Sequence, residues 1–493
     1  MKDPIFENIK VGYIPDTKVE INNKSFLIHN VIEGETISVD TTKKYPELKE
    51  VLKKSPYRID YHPDECGGCN FMHVTYEYEQ KLKKNYLNDL FKVFKVEVPF
   101  TPMENYLNYR NKSIMTYKMS KSHKITCGLY EEYSHNIVAA NNNILQAKKT
   151  NQIILALNKI LTKHKIEIYD EKTRTGVLRH VYIRYGFNSD EIMITFVTNG
   201  EIFPGRNNVV TDIKKADLGI TTIVQNFNSR ETSVVLGDKE KVLYGPGFIY
   251  EKVDKYKFKI SPQSFFQVNT KGMEILYNKA LKAAEIKKTD IVIDAYCGVG
   301  TISIFASEYA KHVYGVELNK NAILDAKINQ KINNINNITF IADDATNYMT
   351  KLARVREHVD VVLMDPPRDG STKAFIDAIK YLGARKVVYV SCNPDTLKRD
   401  LYIFLDNGYE IKSIEGVDMF PRTLHVECVA VLELYNNPKK TPKKSRVFDD
   451  DDDDDELRVL QEMVKKYGSS ENKKKDNNSK NYYQFHKNKK NKK

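Results

Sequence analysis

The run Asp290-Ile-Val-Ile-Asp-Ala-Tyr-Cys-Gly-Val-Gly-Thr-Ile-Ser-Ile304 constrains this chain more than any other. Ile291 to Ala295 is apolar except for Asp294, the pattern of a strand buried on both faces. Gly298 and Gly300 make a turn without side chains, and Thr301 onward has helical composition. The predicted unit is therefore strand, tight turn, helix. Such a turn lets backbone approach a nucleotide closely while a helix N-terminus faces it. The nicotinamide fingerprint would want a third Gly where Ser303 stands. Glu317 ends the next predicted strand, His312-Val-Tyr-Gly-Val-Glu317, where a carboxylate can accept from a ribose hydroxyl pair. Gly-x-Gly alone fits an ordinary turn equally well; its surroundings decide.

Residues 263 to 435 alternate strand-like and helix-like stretches, which predicts a doubly wound α/β domain with ligands at the C-terminal ends of its strands. Three loops there carry reactive residues. Asp365-Pro-Pro-Arg368 follows Asp-Val-Val-Leu-Met, Ser391-Cys-Asn-Pro394 follows Val-Val-Tyr-Val, and Thr423-Leu-His-Val-Glu427 leads into the last strand. An Asp-Pro-Pro loop at this place occurs in enzymes that methylate bases with S-adenosylmethionine. Those acting on exocyclic amines stack the base on an aromatic residue after the prolines, and Arg368 stands there instead. Cys392 offers a different chemistry. A thiolate adding to C6 of uracil makes C5 nucleophilic, so one hard step becomes several easier ones. Glu427 is the candidate base for the C5 proton. Taken alone, Cys392 reads as a small buried side chain, the commoner fate of a free cysteine.

The rest of the chain is read more coarsely. Residues 1–58 hold short strand-like runs, such as Val19–Ile21, Phe26–Ile28 and Thr36–Val39, which predict a small β-barrel of the oligonucleotide-binding kind. Cys66-Gly-Gly-Cys69 suggests a metal, a cluster or a redox pair, with His62 or His73 as a possible third ligand. Tyr78 to about Val96 has helical apolar spacing and a basic outer face. Residues 110 to 260 contain strand-like runs, Ser233–Leu236 among them, and predict a mainly β middle domain. Tyr109-Arg-Asn-Lys112 and Leu178-Arg-His-Val-Tyr-Ile-Arg184 put cations beside aromatics, which suits phosphate and base contacts, although exposed strand charges are usually only solvated. After Tyr435 the composition collapses. Asp449 to Glu456 are all acidic, and residues 436–493 carry half of the formal charge of +12, which predicts a disordered tail broken at most by a short helix over Leu457–Tyr467. The basic balance points to a polyanionic partner. No signal peptide or ~18-residue apolar run stands out, so a cytoplasmic monomer without a membrane partner is expected.

From about residue 258 to 434 the chain resembles the RNA uracil-C5 methyltransferase family, the class that makes 5-methyluridine. The resemblance rests on SPQSFFQVN (261–269), DAYCGVGTISI (294–304), VYGVEL (313–318), DPPRDG (365–370), YVSCNPDTLKRDL (389–401) and DMFPRTLHVE (418–427), in that order and spacing. LRHVYIR, VQNFN, YRNK and the N-terminal β segment extend it over most of residues 1–434. It implies a class I, Rossmann-like methyltransferase sheet over 261–435, a TRAM-like, OB-like RNA-binding barrel over 1–58 and a middle RNA-binding domain over 59–260. By resemblance Cys392 is the nucleophile and Glu427 the base, while Gln267, Tyr296, Glu317 and Asp365, with Asp344 as a further candidate, bind S-adenosylmethionine.

The sequence departs from the family at one place. Many members hold a four-iron cluster on Cys-x5-Cys-x2-Cys plus a later Cys. Cys66 and Cys69 fit the second and third positions, but Asp60 and Asn143 stand at the first and fourth, and Cys127 is displaced. No iron–sulfur cluster or other metal is expected. The barrel favours 23S ribosomal RNA as substrate over transfer RNA. RNA cytosine-C5 methylation is disfavoured because that class places a Cys beside the Pro of the earlier loop. A noncatalytic RNA-binding or ribosome assembly factor is disfavoured because the thiol, the carboxyl and the cofactor residues are all kept.

Overall fold

The computed structural model describes residues 3–435 apart from 14–15, 43–44, 62–65, 67, 121–124, 131–136, 140–142 and 233. The tail from residue 436, with its candidate helix Leu457–Tyr467, and His62 lie outside the described residues.

The α/β reading holds. A mixed eight-stranded sheet has the order Ile338–Ala342, His312–Glu317, Ile291–Ala295, Val361–Met364, Lys386–Ser391, Glu427–Leu434, Tyr409–Val417 and Phe100–Thr101. All ladders are parallel except the two made by Glu427–Leu434, which runs against both neighbours. Helices Thr301–Ser307, Lys320–Ile332, Ala345–Arg354, Lys373–Leu382 and Pro394–Asp406 connect successive strands. The central strands are Val- and Ile-rich because helices cover the sheet; Val292, Leu363 and Val388 are wholly or almost wholly buried. Helix Thr270–Ala284 packs Met273 and Leu276 into the same core, and Asn269 starts it by accepting from the Gly272 N–H.

A second sheet of seven strands has the order Lys239–Tyr244, Thr222–Phe227, Ile192–Thr198, Leu178–Tyr185, Lys112–Met119, Ile125–Tyr130 and Ile137–Ala139. Helix Lys148–Lys163 packs Ile153, Leu157 and Leu161 onto it. The expected strand at Ser233–Leu236 is a loop in its described part. The Asn228 side chain donates to the carbonyls of Val234 and Val235, and the edge strand forms at Lys239–Tyr244 instead.

The N-terminal strands form two small sheets: Ile5–Phe6, Thr36–Asp40 and Glu47–Lys53 in one, the hairpin Thr17–Ile21 with Lys24–Ile28 in the other. Val19, Ile28, Val31, Ile37 and Val39 make their shared core.

Helix Tyr76–Phe91 exposes Lys81 and Lys84, but Lys83 is fully buried, donating to Glu79 (2.8 Å) and Asp418 (2.7 Å). Arg422 also reaches Glu79, and Tyr76 donates to Asp418. Two cations between two carboxylates make this burial tolerable. The network ties the helix to residues 418–422, which run into Glu427.

Candidate active site

Parallel strands place their C-terminal ends on one edge, and each ends in a residue singled out from the sequence. Ile291–Ala295 ends at Tyr296, His312–Glu317 at Glu317, Ile338–Ala342 just before Asp344, Val361–Met364 at Asp365, and Lys386–Ser391 at Cys392. The reversed strand completes the arrangement. Its register sets Cys428 opposite Ser391, so Glu427 enters at the edge where Cys392 leaves.

One cavity of about 640 Å³ is lined by Gln267, Tyr296, Glu317, Asp344, Asp365, Cys392 and Glu427 together. The turn beneath it is shaped for close approach. Tyr296 takes φ 68°, which a non-glycine residue adopts rarely, and its hydroxyl lies 3.3 Å from that of Ser371. A Cβ at Gly298 would meet nothing within 4 Å, whereas one at Gly300 would strike the Phe340 ring at 2.5 Å. Gly298 thus leaves open space, and Gly300 lets the helix pack. Glu317 accepts from the backbone N–H of Gly298 (3.2 Å) and of Asn319 (2.8 Å), which fixes its carboxylate. Asp344 caps helix Ala345–Arg354 by accepting from Asn347, so it has a structural task as well.

The reactive end is crowded with acids. Burial pushes Asp365 up to about 7, against the hydrogen bonds of Tyr277 and Gln267. Burial, then the Asp365 charge, holds the Glu427 carboxyl well above its usual range; Oε2 of this buried side chain has no hydrogen-bond partner. Burial, then Glu427 and Asp365, pushes the Cys392 thiol up to about 11, with Arg368 opposing. Three acidic groups that cannot readily ionise together make a site that favours an incoming cation.

Several contributors were given no role in the site from the sequence. Tyr277 donates to Asp365 across 3.4 Å. Arg368 is anchored by its carbonyl, which accepts from Asn393 and Thr396 at 3.1 Å each, and its guanidinium lies 3.1 Å from Nε2 of His425. Burial and Arg368 lower His425 to about 4, so it is neutral near pH 7. Phe265 and Phe420 also line the cavity. Arg368, His425, Phe265 and Phe420 all lie inside the quoted motifs, but only distances show which of them face the cavity.

The Cys66–Cys69 pair stands apart from this cavity. The two residues are disulfide-bonded to each other, with Cα atoms 5.7 Å apart. Asn143 Oδ1 lies 3.7 Å from the Cys66 sulfur, and exposed Asp60 accepts from Lys54. Cys127 is buried in the core of the seven-stranded sheet. The possible ligand His73 is buried near Arg58 and Glu35, and among the described residues no three His, Cys, Asp or Glu cluster as a metal site. No helix among those residues is long and apolar enough to cross a membrane.

A family model described as tRNA (uracil-5-)-methyltransferase matches residues 234–435. An uncharacterized RNA methyltransferase of Oceanobacillus iheyensis is 40% identical, over 81% of this chain and 88% of its own. One of Clostridium tetani is 37% identical, over 85% and 94%. The crystal structure of Pyrococcus abyssi tRNA (uracil-54, C5)-methyltransferase with S-adenosyl-L-homocysteine superimposes with a TM-score of 0.71 at 27% identity, covering 87% of this chain and all of that one. This chain belongs to the RNA uracil-C5 methyltransferase family, whose members are S-adenosylmethionine-dependent enzymes.

Proposed function

We propose that the protein methylates C5 of a uridine in structured RNA through a covalent adduct on Cys392, with Glu427 as base. The observation that supports this best is a thiol and a carboxyl facing one cavity from adjoining strands. Gln267, Tyr296, Glu317 and Asp365 hold S-adenosylmethionine in this reading, with Asp344 beside them; the open space at Gly298 and the fixed Glu317 carboxylate fit a nucleoside. When bound, that cofactor supplies an electrophilic methyl group.

The chain's own groups do the rest. The Cys392 thiol gives its proton to solvent, the thiolate adds to C6, and the π pair of the C5–C6 double bond is made available at C5. Arg368, whose charge opposes the upward shift of the thiol, favours the thiolate. Once C5 carries the methyl, Glu427 removes its remaining proton, the double bond re-forms and the thiolate leaves. A carboxyl raised by burial is a stronger base when ionised, which suits that step.

Residues 1–58 and 59–260 serve as RNA-binding domains in this proposal, and 261–435 as the catalytic one. The substrate in this proposal is 23S ribosomal RNA, on the resemblance of residues 1–58 to the barrel of the family's ribosomal members. Transfer RNA is the second reading, favoured by the likeness to the Pyrococcus abyssi enzyme. Nucleoside mass spectrometry after incubation with unmodified ribosomal and transfer RNA tests both. 5-Methyluridine is expected in the ribosomal sample and absent with Cys392→Ala; full activity of that variant would overturn the mechanism.

A further inference from the structure

Two cations sit opposite each other, sharing the Tyr182 hydroxyl and paired with no carboxylate among the described residues. Lys112 and Arg184 are register partners on antiparallel strands. Like charges so placed destabilise a sheet. Arg184 is only 1% exposed; it donates to the Tyr182 hydroxyl and to the Ser264 carbonyl, while its Nε and Nη1 have no partner. Around the half-buried Lys112 amine stand the Tyr182 hydroxyl, its hydrogen-bond partner, and two further cations, Arg184 and Arg110. No carboxylate pairs with either residue among those described. Burial alone would raise the Tyr182 phenol, but the two cations outweigh it and the net shift is downward. Leaving buried positive charge without a counter-ion is costly unless an anion arrives from outside.

The place of this pair says which anion. The backbone N–H of Asn111 donates to Val268 at 2.8 Å, and its side chain donates to the Gln267 carbonyl at 2.9 Å. Arg110 bridges to Asn269. Arg184 holds the Ser264 carbonyl, and the Lys112 amine lies 5.9 Å from the Phe265 ring. Phe265, 58% exposed, lines the catalytic cavity. The cations therefore pack against the segment that carries Phe265 and Gln267, two residues that line the cavity.

We infer that Lys112, backed by Arg184, forms a phosphate subsite for the RNA backbone beside the target uridine. Lys112 reaches the phosphodiester, and Arg184 adds its charge from beneath. A base taken out of its stack needs its backbone held, because unstacking is energetically uphill. The inference rests on the methyltransferase reading above.

The test is Lys112→Gln, with RNA affinity measured as a function of salt. Removing one phosphate contact should make the slope of log K against log salt shallower by about 0.7. The RNA Kd should weaken several-fold and KM for RNA should rise more than kcat falls. S-adenosylmethionine affinity should stay within about twofold. The variant should melt no lower than wild type, since it relieves a cation pair; a purely structural lysine would lower the melt. Lys112→Arg should restore the slope. An unchanged slope, or a loss confined to cofactor affinity, would overturn the subsite. Absence of methylation by the wild type on any RNA would instead sink the parent reading, while the salt slope could still be read.

Discussion

Replacing Glu427 by Gln keeps the shape of the side chain and removes the proposed base. Glu427 is buried, 2% exposed, with an unpartnered oxygen, and the other carboxyl whose charge acts on it is Asp365. No solvent-exposed group can readily take over its proton transfer. Loss of a positioned base costs about 100- to 10,000-fold, or ~3–5 kcal/mol at ~1.4 kcal/mol per decade. The burial puts Glu427 at the upper end of that range. Because adduct formation and methyl transfer precede the lost step, the methylated RNA should stay bonded to Cys392. A denaturing gel should show a protein–RNA band that requires S-adenosylmethionine and disappears in the double variant with Cys392→Ala. Stability gives an independent check. Glu427 and Asp365 repel, so Glu427→Gln should melt at or above the wild-type temperature. Turnover within tenfold of wild type, or an adduct that survives loss of Cys392, would refute the assignment.

Three further outcomes follow from the same geometry. Lys83→Met leaves Glu79 and Asp418 buried with one cation fewer, and should cost ~3–5 kcal/mol in denaturant unfolding; a loss under ~1 kcal/mol would show that the network is dispensable. Asp365 is raised to about 7, so its ionised fraction grows as pH rises through 7. Affinity for S-adenosylmethionine, a sulfonium cation, should therefore increase about tenfold from pH 6 to 8 and be lost progressively on acidification, with Asp365→Asn flattening the curve; equal pH dependence for uncharged-sulfur S-adenosylhomocysteine would contradict the electrostatic cause. Anaerobically purified protein should carry no stoichiometric iron and sulfide, because Asp60 and Asn143 occupy two ligand places; about four of each per chain would show otherwise.

How much of this was legible beforehand differs by element. The strand Ile291–Ala295 and its turn were readable because a doubly buried parallel strand must be a short apolar run and the turn must lack side chains. Cys392 and Glu427 were readable as chemical types within recognisable motifs. Their juxtaposition was not, since it depends on one strand running backwards in the sheet. The burial of Lys83 was not legible because the partner that makes it possible, Asp418, is remote in sequence and packs against it only through the fold. The strand Lys239–Tyr244 was missed because an exposed edge strand can be charged, while Val234 and Val235 looked apolar enough to be one. The opposed Lys112 and Arg184 were noted separately; only the register makes them a pair.

The reversed strand has a consequence for chemistry as well as for topology. In an all-parallel sheet every strand presents its C-terminal end to the cavity, so each acid or nucleophile arrives from a loop. Running Glu427–Leu434 backwards lets a carboxyl enter at a strand's first residue, braced by the ladder that also holds Ser391 beside Cys392. That rigidity brings Asp365, Cys392 and Glu427 together, against the preference of each for water. Arg368 and neutral His425 are the basic side chains that line the cavity among the described residues. With one fixed cation among these three acidic groups, the site is short of positive charge, which a cationic methyl donor would supply in the proposed mechanism. On this view the strain is useful: the neighbouring acids hold the thiol protonated and unreactive, and added positive charge eases its ionisation when the donor is at hand. Thiol alkylation at Cys392 should then speed up when S-adenosylmethionine is added and much less with S-adenosylhomocysteine. Equal rates with both would show that the sulfonium charge has no part in activating the thiol.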